Sequence, residues 1–152
     1  MAFHNLTKAA VFAQLLVPQT ITGSGSYVES SRVDVRGSEY TTVLVSVGAM
    51  AGTTTADVKL SQSNASSSGT TKDITGAALT SFTDAAGASK VYAFEVKNSL
   101  LDHANGFYWL SASYKASNTK TVAIDIVAIE TSERVLPTTN GATETISLFT
   151  AN

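Results

Sequence analysis

Alternation of β-branched and small polar residues is the feature of this chain that leaves the fewest folds open. In Thr41–Ala49 (TTVLVSVGA), Val43, Val45 and Val47 fall on one side of an extended backbone and Thr42, Leu44 and Ser46 on the other, because successive strand side chains point to opposite faces. Val122, Ile124 and Ile126 alternate with Ala123 and Asp125 in the same way. A period of two does not fit a helix, whose apolar stripe recurs every 3.6 residues. Similar short runs occupy Tyr27–Arg36, interrupted by a polar Ser30-Ser31 step, and Ala56–Ser63, Lys90–Lys97 and Phe107–Tyr114. Clusters of Gly, Ser, Thr, Asn and Asp separate them, among them the eight-residue stretch NASSSGTT at Asn64–Thr71, which reads as an exposed loop. Ile74, Leu79 and Phe82 punctuate a weakly patterned stretch before the turn Asp84-Ala85-Ala86-Gly87. About seven strands at regular spacing predict an all-β chain, an antiparallel β-sandwich or jelly-roll-like barrel.

The ends read differently from the middle. Pro18 and Pro137 divide the 152 residues into an N-terminal arm (1–18), a core (19–136) and a C-terminal arm (137–152). Phe3, Leu6, Ala10, Ala13 and Val17 recur at roughly helical spacing, with Phe12, Leu15 and Leu16 beside them, so this segment is a short helix or an extended arm. After Thr138-Thr139-Asn140-Gly141, Ile146 and Leu148 alternate with Thr145 and Ser147. That tail suits pairing with a neighbouring subunit's sheet edge or completion of the chain's own sheet. The apolar run Ala9–Val17 follows Lys8 but is broken by Gln14, and Pro18-Gln19-Thr20 stands where a signal peptide has small residues for cleavage. No run approaches the roughly 18 apolar residues of a membrane-spanning helix, so no membrane partner is expected.

Composition narrows the chemistry. Only 14% of residues are charged and the net charge is −2, which argues against direct nucleic-acid binding, since neutralising phosphates takes a basic surplus. Ser and Thr supply roughly a quarter of the chain, which keeps a surface soluble without charge and favours extended backbone. There is no cysteine and there are two histidines, so disulfides and thiolate sites are excluded and an imidazole metal site has little to draw on.

The remaining motifs weigh against catalysis. His103 follows Asp102 in the turn DHANG with Ser99 and Ser111 nearby, but no Gly-x-Ser-x-Gly elbow exists and adjacent turn residues do not orient one another as a triad requires. Asp34 with Glu39, or Asp125 with Glu130, are carboxylate pairs of the kind used in glycoside hydrolysis, and Asp57, Asp73 and Asp84 are candidate calcium ligands without EF-hand spacing. Surface and turn roles explain all of them. Gly23-Ser24-Gly25-Ser26 lacks the Gly-Lys-Ser ending of a phosphate loop and reads as a turn. Phe107-Tyr108-Trp109, with Tyr114, is an aromatic cluster suited to core packing or to stacking on sugar. The chain is thus read as a non-enzyme, with no catalytic residues, no cofactor and no metal.

The stretch PQTITGSGSYVESSRVDVRG, followed by TTVLVSVGAMAGTTTADVKLSQSNASSSGTTKDITG and SKVYAFEV, resembles small proteins of tailed bacteriophages regarded as capsid decoration (cement) proteins or related head components. The matching features are Ser-x-Val-Asp-x-Arg-Gly at Ser31–Gly37 and Thr-x-x-Asp-Val-Lys-x-x-x-Ser at Thr54–Ser63, within Pro18–Val96. An arginine-rich strand common in that group is missing: Leu100-Leu101-Asp102-His103 and Gly106–Trp109 stand there instead. The resemblance implies a homotrimer on the capsid surface, with the major capsid protein as partner and terminal arms reaching neighbours. Phe3, Leu6, Phe12, Leu15, Leu16, Ile146, Leu148 and Phe149 are the candidate interface residues. Deleting Met1–Val17 is expected to weaken capsid binding and leave the core folded. A carbohydrate-binding or host-attachment module using Tyr108, Trp109 and Tyr114 is the alternative, as is a tail-tube or head-completion protein.

Overall fold

The computed structural model describes residues 10–52, 54–83, 88–117, 120–131 and 146–150. The described residues form ten strands: β1 (Ala10–Thr22), β2 (Val28–Glu29), β3 (Val33–Asp34), β4 (Tyr40–Met50), β5 (Thr55–Ser63), β6 (Thr71–Thr83), β7 (Lys90–Lys97), β8 (Trp109–Ala116), β9 (Thr121–Thr131) and β10 (Ile146–Thr150). Two single-turn 3-10 helices, Asn98–Leu100 and His103–Asn105, lie between β7 and β8.

The strands form two sheets, ordered β1-β9-β4-β7-β10 and β2-β8-β5-β6, with β3 also pairing to β8. Taken as one strand broken at Ser30-Ser31, β2 and β3 complete a set of eight. The first of these pairs with the last (β1–β9), the second with the seventh (β2/β3–β8), the third with the sixth (β4–β7) and the fourth with the fifth (β5–β6). That order is one long hairpin rolled into a sandwich, the jelly-roll topology. All these pairings are antiparallel. The exception is β10, added parallel to the outer edge of β7.

The core is what the alternation demanded. Val43, Val45 and Val47 of β4, Val122, Ile124, Ile126 and Ala128 of β9, and Tyr92, Phe94 and Val96 of β7 face inward from one sheet. Val58 and Leu60 of β5, Leu110, Ala112 and Tyr114 of β8, and Ala77 and Phe82 of β6 meet them from the other. Ser30 bridges the β2/β3 break to β8: its N–H donates to Ala112 O and its hydroxyl accepts from Ala112 N–H.

Two expectations change at this level. Residues from Ala10 onward are neither helix nor free arm, because β1 carries straight through Pro18, the boundary drawn from sequence, and pairs with β9 over its whole length. Proline is tolerated there because β1 is an edge strand and Pro18 lies inside one of its two bulges. Gln14 fills the other: its side-chain NH2 donates to Leu16 O at 2.6 Å and Ile126 O at 3.1 Å. The weakly patterned stretch around Ile74 is a full thirteen-residue strand, β6. Its pairing with β5 shifts twice, and Gly76 and Ser81 adopt positive φ, so the period-two signal was broken at each irregularity.

Candidate functional site

The outer faces of the two sheets differ in chemistry. On the β2-β8-β5-β6 sheet, most outward residues are polar and satisfy one another. Arg32 forms a bidentate pair with Glu29 (2.8 and 2.9 Å) and also donates to Ser63 Oγ at 2.7 Å and Ala65 O at 2.8 Å. Glu29 in turn accepts from Ser111 Oγ at 2.6 Å. The Arg32 guanidinium, helped by Ser111, holds the Glu29 carboxyl below its ordinary range. Burial pushes the Asp57 carboxyl up, but Lys115, the Ser81 N–H and the Tyr27 hydroxyl outweigh it and leave it low. Lys59 pairs with Asp73 at 2.8 Å and stands over the Tyr27 ring, as Lys115 also does. These charges are spent on each other.

The outer face of the β1-β9-β4-β7 sheet mixes polar residues with an apolar strip. Register places Phe12, Ile129, Thr42 and Glu95 in one cross-strand row, and Gln14, Val127, Leu44 and Ala93 in the next. Asp125, Ser46 and Val91 form a third. Leu44, Val127 and Ile129 are half-buried, and Phe12 is 49% exposed. Along the edge, Val11 and Val17 are 63% and 60% exposed. A strand with apolar residues on both faces is one that gets covered on both. An open depression of about 400 Å³ beside Pro18, Gln19, Ser46, Gly48 and Ala123 has Asp125 as its one charged lining residue. Among the described residues no three His, Cys, Asp or Glu side chains are grouped to hold a metal, and no helix is long and apolar enough to cross a membrane.

The expected interface residues scatter. Phe12 is on the apolar face, Leu16 packs partly against the core, and Leu15 is 3% exposed inside it. A cut at Val17 therefore takes the first eight residues of β1 and a core leucine with it, so Met1–Val17 is not wholly separate from the core. Ile146, Leu148 and Phe149 lie in β10, in register with Val91, Ala93 and Phe94. Phe3 and Leu6 fall outside the described residues.

The chemical candidates separate as well. Asp102 accepts from Lys72 and from Asn105 (2.9 Å), both of which keep its carboxyl low, rather than from the His103 imidazole. His103 instead stacks obliquely on Tyr108, whose hydroxyl bonds the His103 carbonyl at 3.0 Å. Asp34 is tied to Arg36, while Glu39 is exposed; Asp125 and Glu130 point to opposite faces of β9. Asp57 and Asp73 are each taken by a lysine, and Asp84 lies outside the described residues. Tyr114 is a core residue on the face of β8 opposite Trp109, so the three aromatic residues share no platform.

Sequence reasoning passed over Val127 and Ile129, although the alternation of β9 continues through them to Thr131. The signal was the presence of apolar residues in both phases of the pattern. It also passed over Arg32, whose spacing of three from Glu29 across the Ser30-Ser31 break marks a local ion pair.

No protein family and no curated protein matches the sequence, so the likeness of Pro18–Val96 to phage decoration proteins stands on the quoted motifs alone. Among solved structures the chain is similar to one in the structure of infectious bursal disease virus Gx strain, with a TM-score of 0.47 and 5% identity over 84% of this chain. It spans about a third (33%) of that chain's length. The jelly-roll assignment above rests on the strand order itself.

Proposed function

We propose that this chain is a structural virion protein, a decoration (cement) protein that trimerises on a tailed-phage head and braces the joints between major capsid protein subunits. It is made in the host cytoplasm, resides on the capsid surface and acts by contact rather than by catalysis. The observation that carries the reading is the apolar strip of Phe12, Ile129, Val127 and Leu44 on the outer face of β1, β9 and β4, with Val11 and Val17 exposed along the edge strand. Jelly rolls serve as capsid and lectin domains alike, so the fold adds only an analogy. At about 25 cal/mol per Å², a few hundred Å² of apolar contact at each joint contributes several kcal/mol before association costs. Repetition over a shell multiplies that gain.

The test is the mass in solution, by light scattering, of the unaltered protein and of Phe12→Asp. The reading predicts a particle of three 15.8 kDa chains, and a variant that no longer decorates capsids while its unfolding midpoint stays within a few degrees. A hexameric ring would instead favour the tail-tube reading. A Phe12→Asp variant that assembles and binds capsids like the parent would overturn the role of this face.

A further inference from the structure

The jelly roll is complete without β10. Its eight strands close both sheets, and β10 is an addition attached through β7 at the edge of one of them. The two edges of that sheet are treated differently. At β1 the edge is blunted by Pro18 and two bulges, the devices that keep strands from pairing with foreign chains. At β7 the run KVYAFEVK has no proline, and its register with β10 is continuous over five residues. Without β10 this would be a bare, regular edge. Something must cover it.

The connection to β10 does not dictate whose strand does so. Thr131 lies level with Tyr40 and hence with Lys97, whereas Ile146 lies level with Val91 at the other end of β7. Within one chain the path crosses about three strand spacings and six residues of strand length, roughly 25 Å. The 15 peptide steps from Thr131 to Ile146 reach about 50 Å when extended. That is about twice the length needed within one chain, so the connection does not tie β10 to its own β7.

We propose that β10 is an exchanged strand: in the assembled protein, β10 of each copy pairs in parallel with β7 of a neighbouring copy. The exchange reproduces every backbone bond of the β7–β10 pairing, so it costs little beyond association. It is a head-to-tail contact, and such contacts generate a ring when the rotation closes. The proposal rests on the reading of the protein as a self-assembling structural component, and specifies how the copies lock.

The absence of native cysteine makes the test clean. Ala93→Cys and Leu148→Cys introduce thiols at a register pair of β7 and β10. The two single variants are unfolded, mixed, refolded together and oxidised. Exchange predicts a covalent heterodimer, absent when either variant is treated alone, and covalent multimers from the double variant. A double variant that oxidises wholly within single chains, with no heterodimer from the mixture, overturns the exchange, as does failure of any cross-link to form. Light scattering on the unaltered protein separates this from the broader reading. A trimer with intrachain cross-links refutes only the exchange, whereas a monomer refutes trimerisation itself.

Discussion

Arg32 offers the sharpest test of how the polar face is held. Its side chain is 9% exposed and makes four hydrogen bonds, two to Glu29, one to Ser63 Oγ and one to Ala65 O. These bonds fasten the break between β2 and β3 to the start of the β5–β6 loop. Arg32→Ala removes all four and leaves the Glu29 carboxylate, itself only 31% exposed, without its counter-charge. Removing one partner of a buried pair costs about 3–5 kcal/mol, and a neutral hydrogen bond is worth about 1 kcal/mol net. Because Glu29 keeps Ser111 and some solvent, we expect about 2–3 kcal/mol, which for a chain of this size is a fall in midpoint of roughly 5–10 °C. Urea unfolding followed by far-ultraviolet circular dichroism measures it. Arg36→Ala is the internal control: Asp34 is as exposed (30%) as Glu29, but the Arg36 side chain is 60% exposed where that of Arg32 is buried. Exposed pairs contribute little. Equal effects from the two substitutions would refute the reasoning, since burial would then count for nothing.

Other substitutions probe different parts of the account. A Cβ on Gly23 would stand 2.2 Å from Ser117 O and 2.4 Å from Ala116 O, so Gly23→Ala must displace backbone, and a calorimetric midpoint unchanged from the parent would contradict that close approach. Burial pushes the Glu130 carboxyl up, as does the charge of Asp34, against the Ser38 hydroxyl bond that lowers it. An acid whose folded pKa exceeds its unfolded value of 4.5 loses stability for the fold as pH rises through that range. Glu130→Gln, which mimics the protonated form, therefore raises the midpoint at pH 7 and leaves it nearly unchanged near pH 4. A gain that is the same at both pH values would sink the assignment. Glu29, Asp34 and Asp102, held down by Arg32, Arg36 and Lys72 respectively, act with the opposite sign: the stability they contribute is lost as pH falls below about 4.

Much of this architecture was legible because one physical rule, alternation, governs a strand buried on one face. Lys90–Lys97 is β7 to the residue, and Thr41–Ala49 lies within β4. Legibility failed where the rule is suspended. In β6, Gly76 and Ser81 at positive φ interrupt the period, and in β1 the two bulges changed the phase so that Leu15 and Leu16 both turn toward the core. The apolar face was harder to see for another reason. Its members come from β1, β9 and β4, more than a hundred residues apart in sequence between Phe12 and Val127, and only strand order brings them together. Sequence patterns report which residues share a face of one strand, whereas a docking surface is a property of neighbouring strands.

Electron cryo-microscopy of tailed-phage heads incubated with this protein tests the proposed role most directly. The account predicts jelly-roll density in groups of three, repeated at symmetry-related positions on the outside of the head and touching more than one major capsid subunit. Heads that lack such density would contradict it.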